Sequence, residues 1–159
     1  MHPRVQAPMV KLADGRVLAV GGLVASENPT ALASAEIYDP RTNAWRDAGV
    51  LSQPRYAHSL ILLADGQVLA LGGARSYDYP AGHPGGSPWT ADAFVRQLEV
   101  YDPAADRWYT VGELAQPQAY AATAWLPDGR LWLTGGGAGS DMAKAWAETW
   151  LLTVAKVLP

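Results

Sequence analysis

Two kinds of hydrophobic run alternate along the chain. Met9-Val10 and Leu60-Ile61-Leu62 are short runs, each followed within a few residues by Asp-Gly; Val17-Leu18-Ala19-Val20 and Val68-Leu69-Ala70-Leu71 then follow and are apolar at every position. Alternation marks a strand with one wet face, whereas an unbroken apolar run of this length suits a short strand buried on both faces. Asp-Gly between two such runs predicts a tight hairpin, because glycine accepts the positive φ that the turn demands. A double glycine ends each buried run.

This pattern repeats. Leu12 to Gly22 returns at Leu63 to Gly73, 51 residues on, and more loosely at Leu126 to Gly136, a further 63 on. A second block, Ala35-Glu36-Ile37-Tyr38-Asp39-Pro40 with Trp45, recurs 63 residues later as Leu98-Glu99-Val100-Tyr101-Asp102-Pro103 with Trp108. The extra residues lie between Gly73 and Leu98, so the underlying period is 51. Each copy reads as four short strands: the hairpin, a third strand ending at the tyrosine, an Asp-Pro turn, and a fourth at the tryptophan. A four-stranded sheet of about fifty residues with two buried faces is a propeller blade, because such sheets bury both faces only against copies of themselves. The expected fold is all-β, with blade 1 over 3–51, blade 2 over 54–114 with an insertion at 75–93, and an incomplete blade 3 over 117–159. In the third copy Trp150 is expected to take the tyrosine's place, 14 residues after Gly136 against 16 in the first copy, with no Asp-Pro and no tryptophan following.

Gly21-Gly22 with Tyr38 and Trp45, and Gly72-Gly73 with Tyr101 and Trp108, resemble the kelch repeat, and Asp-Gly-x-Val-Leu-x-x-Gly-Gly is similar to the galactose-oxidase-like kelch propellers. The resemblance implies structural roles for these residues and for Gly135 and Gly136: the glycines permit close backbone packing, and the aromatics fill space between blades. Propellers have typically 4–8 blades, so three cannot close a ring as a monomer. The missing blades are expected from a longer chain or from a homodimer.

Composition narrows the chemistry. With 159 residues, 49% of them hydrophobic, the chain suits one domain. A net charge of −3 offers no field for phosphate backbones, so no nucleic-acid partner is expected. No apolar run approaches a membrane span and Met1 to Gln6 lack a secretion signal, so a soluble chain is expected, in a compartment left open. The absence of cysteine excludes thiolate metal sites and cysteine nucleophiles, and also the Tyr–Cys copper-radical chemistry that a galactose-oxidase likeness would otherwise imply. His2, His58 and His83 lack ligand spacing, so neither a metal nor a cofactor is expected. Gly135 to Ser140 fits neither the dinucleotide fingerprint nor the P-loop.

Strand alternation puts the strand-two-to-three loops and the links between blades on one face. That face is expected to collect Arg4, Arg55, Tyr56 and Gln118 from the links, together with the insertion. Arg55, Tyr56, Arg75, Tyr77, Tyr79, His83 and Trp89 are the candidate contact residues, because they pair apolar area with hydrogen bonding. Arg55 has two readings, a cation offered to an acidic ligand or a tie between strands; His58 reads as a partly buried, hydrogen-bonded structural residue. Glu36 and Glu99 recur in step and read as structural, and no isolated carboxylate pair suits acid–base catalysis. The expected function is a kelch-type binding module for a protein or carbohydrate partner, with no catalytic residues of its own. The alternatives are a segment of a carbohydrate-active propeller enzyme whose catalytic residues lie outside this chain, or a purely structural segment.

Overall fold

The computed structural model describes residues 3–24, 26, 29–75, 93–137 and 149–152. Its strands are β1 (Met9–Lys11), β2 (Val17–Val20), β3 (Ser34–Asp39), β4 (Ala44–Val50), β5 (Ser59–Leu62), β6 (Val68–Leu71), β7 (Gln97–Asp102), β8 (Arg107–Glu113), β9 (Ala122–Trp125), β10 (Leu131–Thr134) and β11 (Thr149–Leu152). They form two antiparallel four-stranded sheets, β1-β2-β3-β4 and β5-β6-β7-β8, and a three-stranded sheet of β9, β10 and β11. These are blades 1, 2 and 3 of a partial propeller.

Local chemistry sets the hairpins. Gly15, Gly66 and Gly129 turn at φ +91, +88 and +81°. The preceding Asp14, Asp65 and Asp128 each accept a hydrogen bond from the backbone N–H two residues on, at 3.0, 3.1 and 3.1 Å. Packing sets the rest. Leu18 and Val20 pack with Val68 and Ala70 between blades 1 and 2. Leu69 and Leu71, on the opposite side of β6, pack with Leu131 and Leu133 of blade 3. Strand β6 is therefore buried on both faces, which is why its sequence does not alternate. At the outer edge, Trp108 Nε1 donates to the Ala48 carbonyl of blade 1 at 2.9 Å, and Arg46 Nη1 bonds Asp106 Oδ2 at 2.8 Å.

Blade 3 departs from expectation in register. Leu152 pairs with Leu131, as Tyr38 pairs with Val17 and Tyr101 with Val68; Trp150 pairs with Leu133, the place held opposite Ala19 and Ala70 by Glu36 and Glu99. The tyrosine's position in blade 3 thus belongs to Leu152, not Trp150. Leu152 stands 16 residues after Gly136, as Tyr38 does after Gly22. Strand pairing followed backbone spacing, and the aromatic match at Trp150 was two residues out of register.

Candidate functional site

Each link enters its blade through an arginine or its replacement. Arg4 Nη1 donates to the carbonyls of Gly21 at 2.8 Å and Ser34 at 3.0 Å, while Nη2 pairs with Glu36 at 2.6 Å. Arg55 repeats the arrangement one blade on: Nη1 donates to Gln97 O at 3.0 Å and Gly72 O at 3.4 Å, and Nη2 pairs with Glu99. Glu99 also accepts the Ser52 N–H at 2.7 Å, so one carboxylate holds both the end of blade 1 and the entry to blade 2. Arg55 is wholly buried, and burial lowers its pKa to about 10, which leaves it charged at neutral pH. Of its two readings the geometry matches the tie: the cation is spent on Glu99 and two carbonyls.

The glycine pairs exist for these links. A Cβ on Gly21 would collide with the Arg55 carbonyl oxygen, and one on Gly72 with the Gln118 carbonyl oxygen. The neighbouring N–H groups use the same oxygens: Gly22 donates to Arg55 O at 2.9 Å and Gly73 to Gln118 O at 2.6 Å. Each Gly-Gly is a notch that seats the next blade's link. In the third link Gln118 replaces the arginine. Its buried amide has no hydrogen-bond partner among the described residues, and it borders a cavity of about 260 Å³ with Leu98, Glu113, Leu133 and Leu152.

His58 sits in the joint between blades 1 and 2, with both ring nitrogens unpartnered among the described residues. It is buried but not hydrogen-bonded as expected. Burial, reinforced by the nearby Arg55 charge, pushes its pKa down to about 3. Above about pH 6.5 the imidazole is neutral folded or unfolded; below that the unfolded chain binds a proton that the folded chain refuses, so stability falls as pH falls. The expected loss between pH 7.5 and 5.0 is about 2 kcal/mol, absent in His58→Leu, by urea unfolding at both pH values. A wild-type stability unchanged over that range would mean that His58 is solvated.

Among the described residues, links and strand-two-to-three loops meet on one side of the blades. Short bridges join each link to the loop after the second strand: Val5 pairs with Leu23, which pairs in turn with Ala31; Tyr56 pairs with Ala74, which pairs in turn with Phe94; and Ala119 pairs with Gly137. Tyr56 lies beneath this face, fully buried among Leu23, Ala74, Phe94 and Ala119. Arg75 is exposed at its rim. Tyr77, Tyr79, His83 and Trp89 lie outside the described residues. The face also presents residues that the sequence reading passed over. Gln6, Ala57 and Tyr120 occupy the same place in successive links, at φ 53, 52 and 62°. Ala57 N–H donates to Gln6 O at 3.4 Å and Tyr120 N–H to Ala57 O at 2.8 Å, so the links are strung together. Tyr120 is left 51% exposed, with its hydroxyl donating to Gln6 Oε1 at 3.3 Å. Their only sequence signal is equivalent repeat position.

Stacked antiparallel blades joined by links seated in Gly-Gly notches define a partial β-propeller. The kelch motif matches residues 12–49, from the first hairpin through most of β4. Human Kelch-like protein 33 is 42% identical over 60 residues, which is 38% of this chain and 10% of that protein. Among solved structures, YjhT superposes with a TM-score of 0.69 at 21% identity, over 84% of this chain and 44% of that one. A copper-bound fungal alcohol oxidase of the AA5 family superposes with a TM-score of 0.72 at 14% identity, over 93% of this chain and 31% of that one. The chain thus spans a tenth of the curated relative and less than half of either structure. Residues 12–49 thus carry a kelch motif, and the chain shares the fold of these two structures.

Proposed function

We propose that this chain is a binding module whose link face docks a protein partner. The observation that carries the reading is Tyr120, a large aromatic held exposed on left-handed backbone by the neighbouring link. Ordering such a backbone without glycine costs about 1–2 kcal/mol per residue, and strain of this kind concentrates at working surfaces. Gln6 lies beside Tyr120 and Arg75 stands at the rim, a mixture of aromatic, amide and guanidinium groups suited to a protein surface. The aromatic insertion after Arg75, with Tyr77, Tyr79, His83 and Trp89, adds to the same surface in this reading, while Arg55 and Tyr56 support it from below. The rest of the ring is supplied from outside this span.

A photo-crosslinking residue placed at Tyr120, and in a second sample at Asp65 on the opposite, hairpin face, identifies what binds and where. A protein captured through position 120 alone is the expected result, followed by at least tenfold weaker binding of that purified protein to Tyr120→Ala/Arg75→Ala at unchanged melting temperature. Capture through position 65, or a glycan as the sole ligand on a glycan array, would overturn the reading.

A further inference from the structure

The three hairpin turns replicate one covalent environment inside a single chain. Each holds an aspartate followed by glycine: Asp14-Gly15, Asp65-Gly66 and Asp128-Gly129. The glycine N–H donates to the carbonyl three residues back, of Leu12, Leu63 and Leu126, at 3.0 Å in every case. The aspartate Oδ1 accepts the N–H two residues on, and a Cβ on any of the three glycines would meet nothing within 4 Å. The other carboxylate oxygen separates them. Arg16 Nε and Nη2 both lie 2.7 Å from Asp14 Oδ2, and Arg130 Nε and Nη2 lie 2.8 and 2.6 Å from Asp128 Oδ2. Hydrogen bonds from Arg16 and Arg130 hold the carboxyls of Asp14 and Asp128 below the usual carboxylate range. In the second turn Gln67 takes the arginine's place, and Asp65 Oδ2 is exposed with no hydrogen-bond or ion partner among the described residues.

We propose that Asp65-Gly66 is a self-modification site, where the chain isomerises through a cyclic imide, and that Arg16 and Arg130 protect the other two turns. The aspartyl carboxyl reacts from its neutral acid form: the Gly66 nitrogen bonds to Asp65 Cγ, the C–OH bond breaks, and the hydroxyl leaves with the amide proton as water. The five-membered ring then takes up one water at either carbonyl. Opening at one restores aspartate; opening at the other gives isoaspartate, whose main chain runs through the side-chain carbon and is one methylene longer. One water leaves and one returns, so neither an oxidant nor a further reactant is needed. Glycine favours the approach at all three turns, because it has no Cβ to crowd the nitrogen. A guanidinium opposes it, since pairing favours the ionised carboxylate and pins its oxygen in place. Asp14 and Asp65 border the same open cleft, so access to water does not separate them. The added methylene falls between β5 and β6, and β6 is buried against both neighbouring blades, so the modification strikes a strand whose register matters.

Prolonged incubation of the whole folded chain in neutral buffer, followed by peptide mapping that resolves isoaspartate from aspartate, tests this. Residue 65 is expected to isomerise about threefold faster than residues 14 and 128, the size of effect that an exposed ion pair supports. Gln67→Arg is expected to slow residue 65 to the rate of the other two. Arg16→Gln, the reverse exchange, is expected to raise residue 14 to the wild-type rate of residue 65. In urea the three rates are expected to converge, because the guanidinium contacts are lost with the fold. Equal rates in the folded chain would overturn the proposal, as would a residue 65 indifferent to Gln67→Arg or a residue 14 indifferent to Arg16→Gln. The same difference persisting in urea would assign the effect to local sequence and overturn the protective role of the folded turns.

Discussion

Arg55→Met is expected to destabilise the chain by about 3–5 kcal/mol in urea unfolding, because it leaves the Glu99 carboxylate buried and uncompensated. Arg55 is wholly buried, and it supplies Glu99's guanidinium contact along with two hydrogen bonds to blade 2 carbonyls. Among the described residues, Glu99 keeps only the Ser52 N–H when Arg55 is lost. The double variant Arg55→Met/Glu99→Leu is expected to recover most of the loss, since the net worth of a buried ion pair is small compared with the cost of breaking it. A single-variant loss below about 1 kcal/mol would show that water reaches Glu99 and that the link is not held as described.

Trp108→Ala is expected to cost about 3–5 kcal/mol, and Trp45→Ala at least 1.5 kcal/mol less. The two tryptophans look alike in sequence and pack alike on their own tyrosines, Tyr101 and Tyr38, with ring centroids 5.3 Å apart in both pairs. Trp108 has in addition the Ala48 carbonyl and the core between blades 1 and 2. Trp45, in the first blade, has no blade ahead of it among the described residues. The difference between the two costs reports the contact between blades. Equal costs would mean that the tryptophans act within their own sheets only.

These unequal tryptophans show what a repeat sequence can and cannot convey. Hairpins at Gly15, Gly66 and Gly129 were legible because turn chemistry is local, and the sharing of one face by links and loops followed from strand alternation alone. The role of Arg55 was not, because the choice between ligand contact and structural tie depends on how close Glu99 comes, and Glu99 is 44 residues away in the chain. Gln6, Ala57 and Tyr120 were missed for a related reason: none is a turn-forming residue, and their left-handed backbone is associated with hydrogen bonds between successive links. Trp150 misled because an aromatic at roughly the right distance competed with a leucine at the right one, and backbone pairing follows spacing.

The central claim is that the blades form one array because each Gly-Gly notch seats the link of the next blade. Amide hydrogen exchange at Gly22 and Gly73 tests it most directly, since these N–H groups donate to the Arg55 and Gln118 carbonyls at 2.9 and 2.6 Å. The account predicts that both exchange as slowly as the amides of β2 and β6 and through the same opening. Exchange at the rate of a freely solvated loop, with the strands still protected, would contradict it.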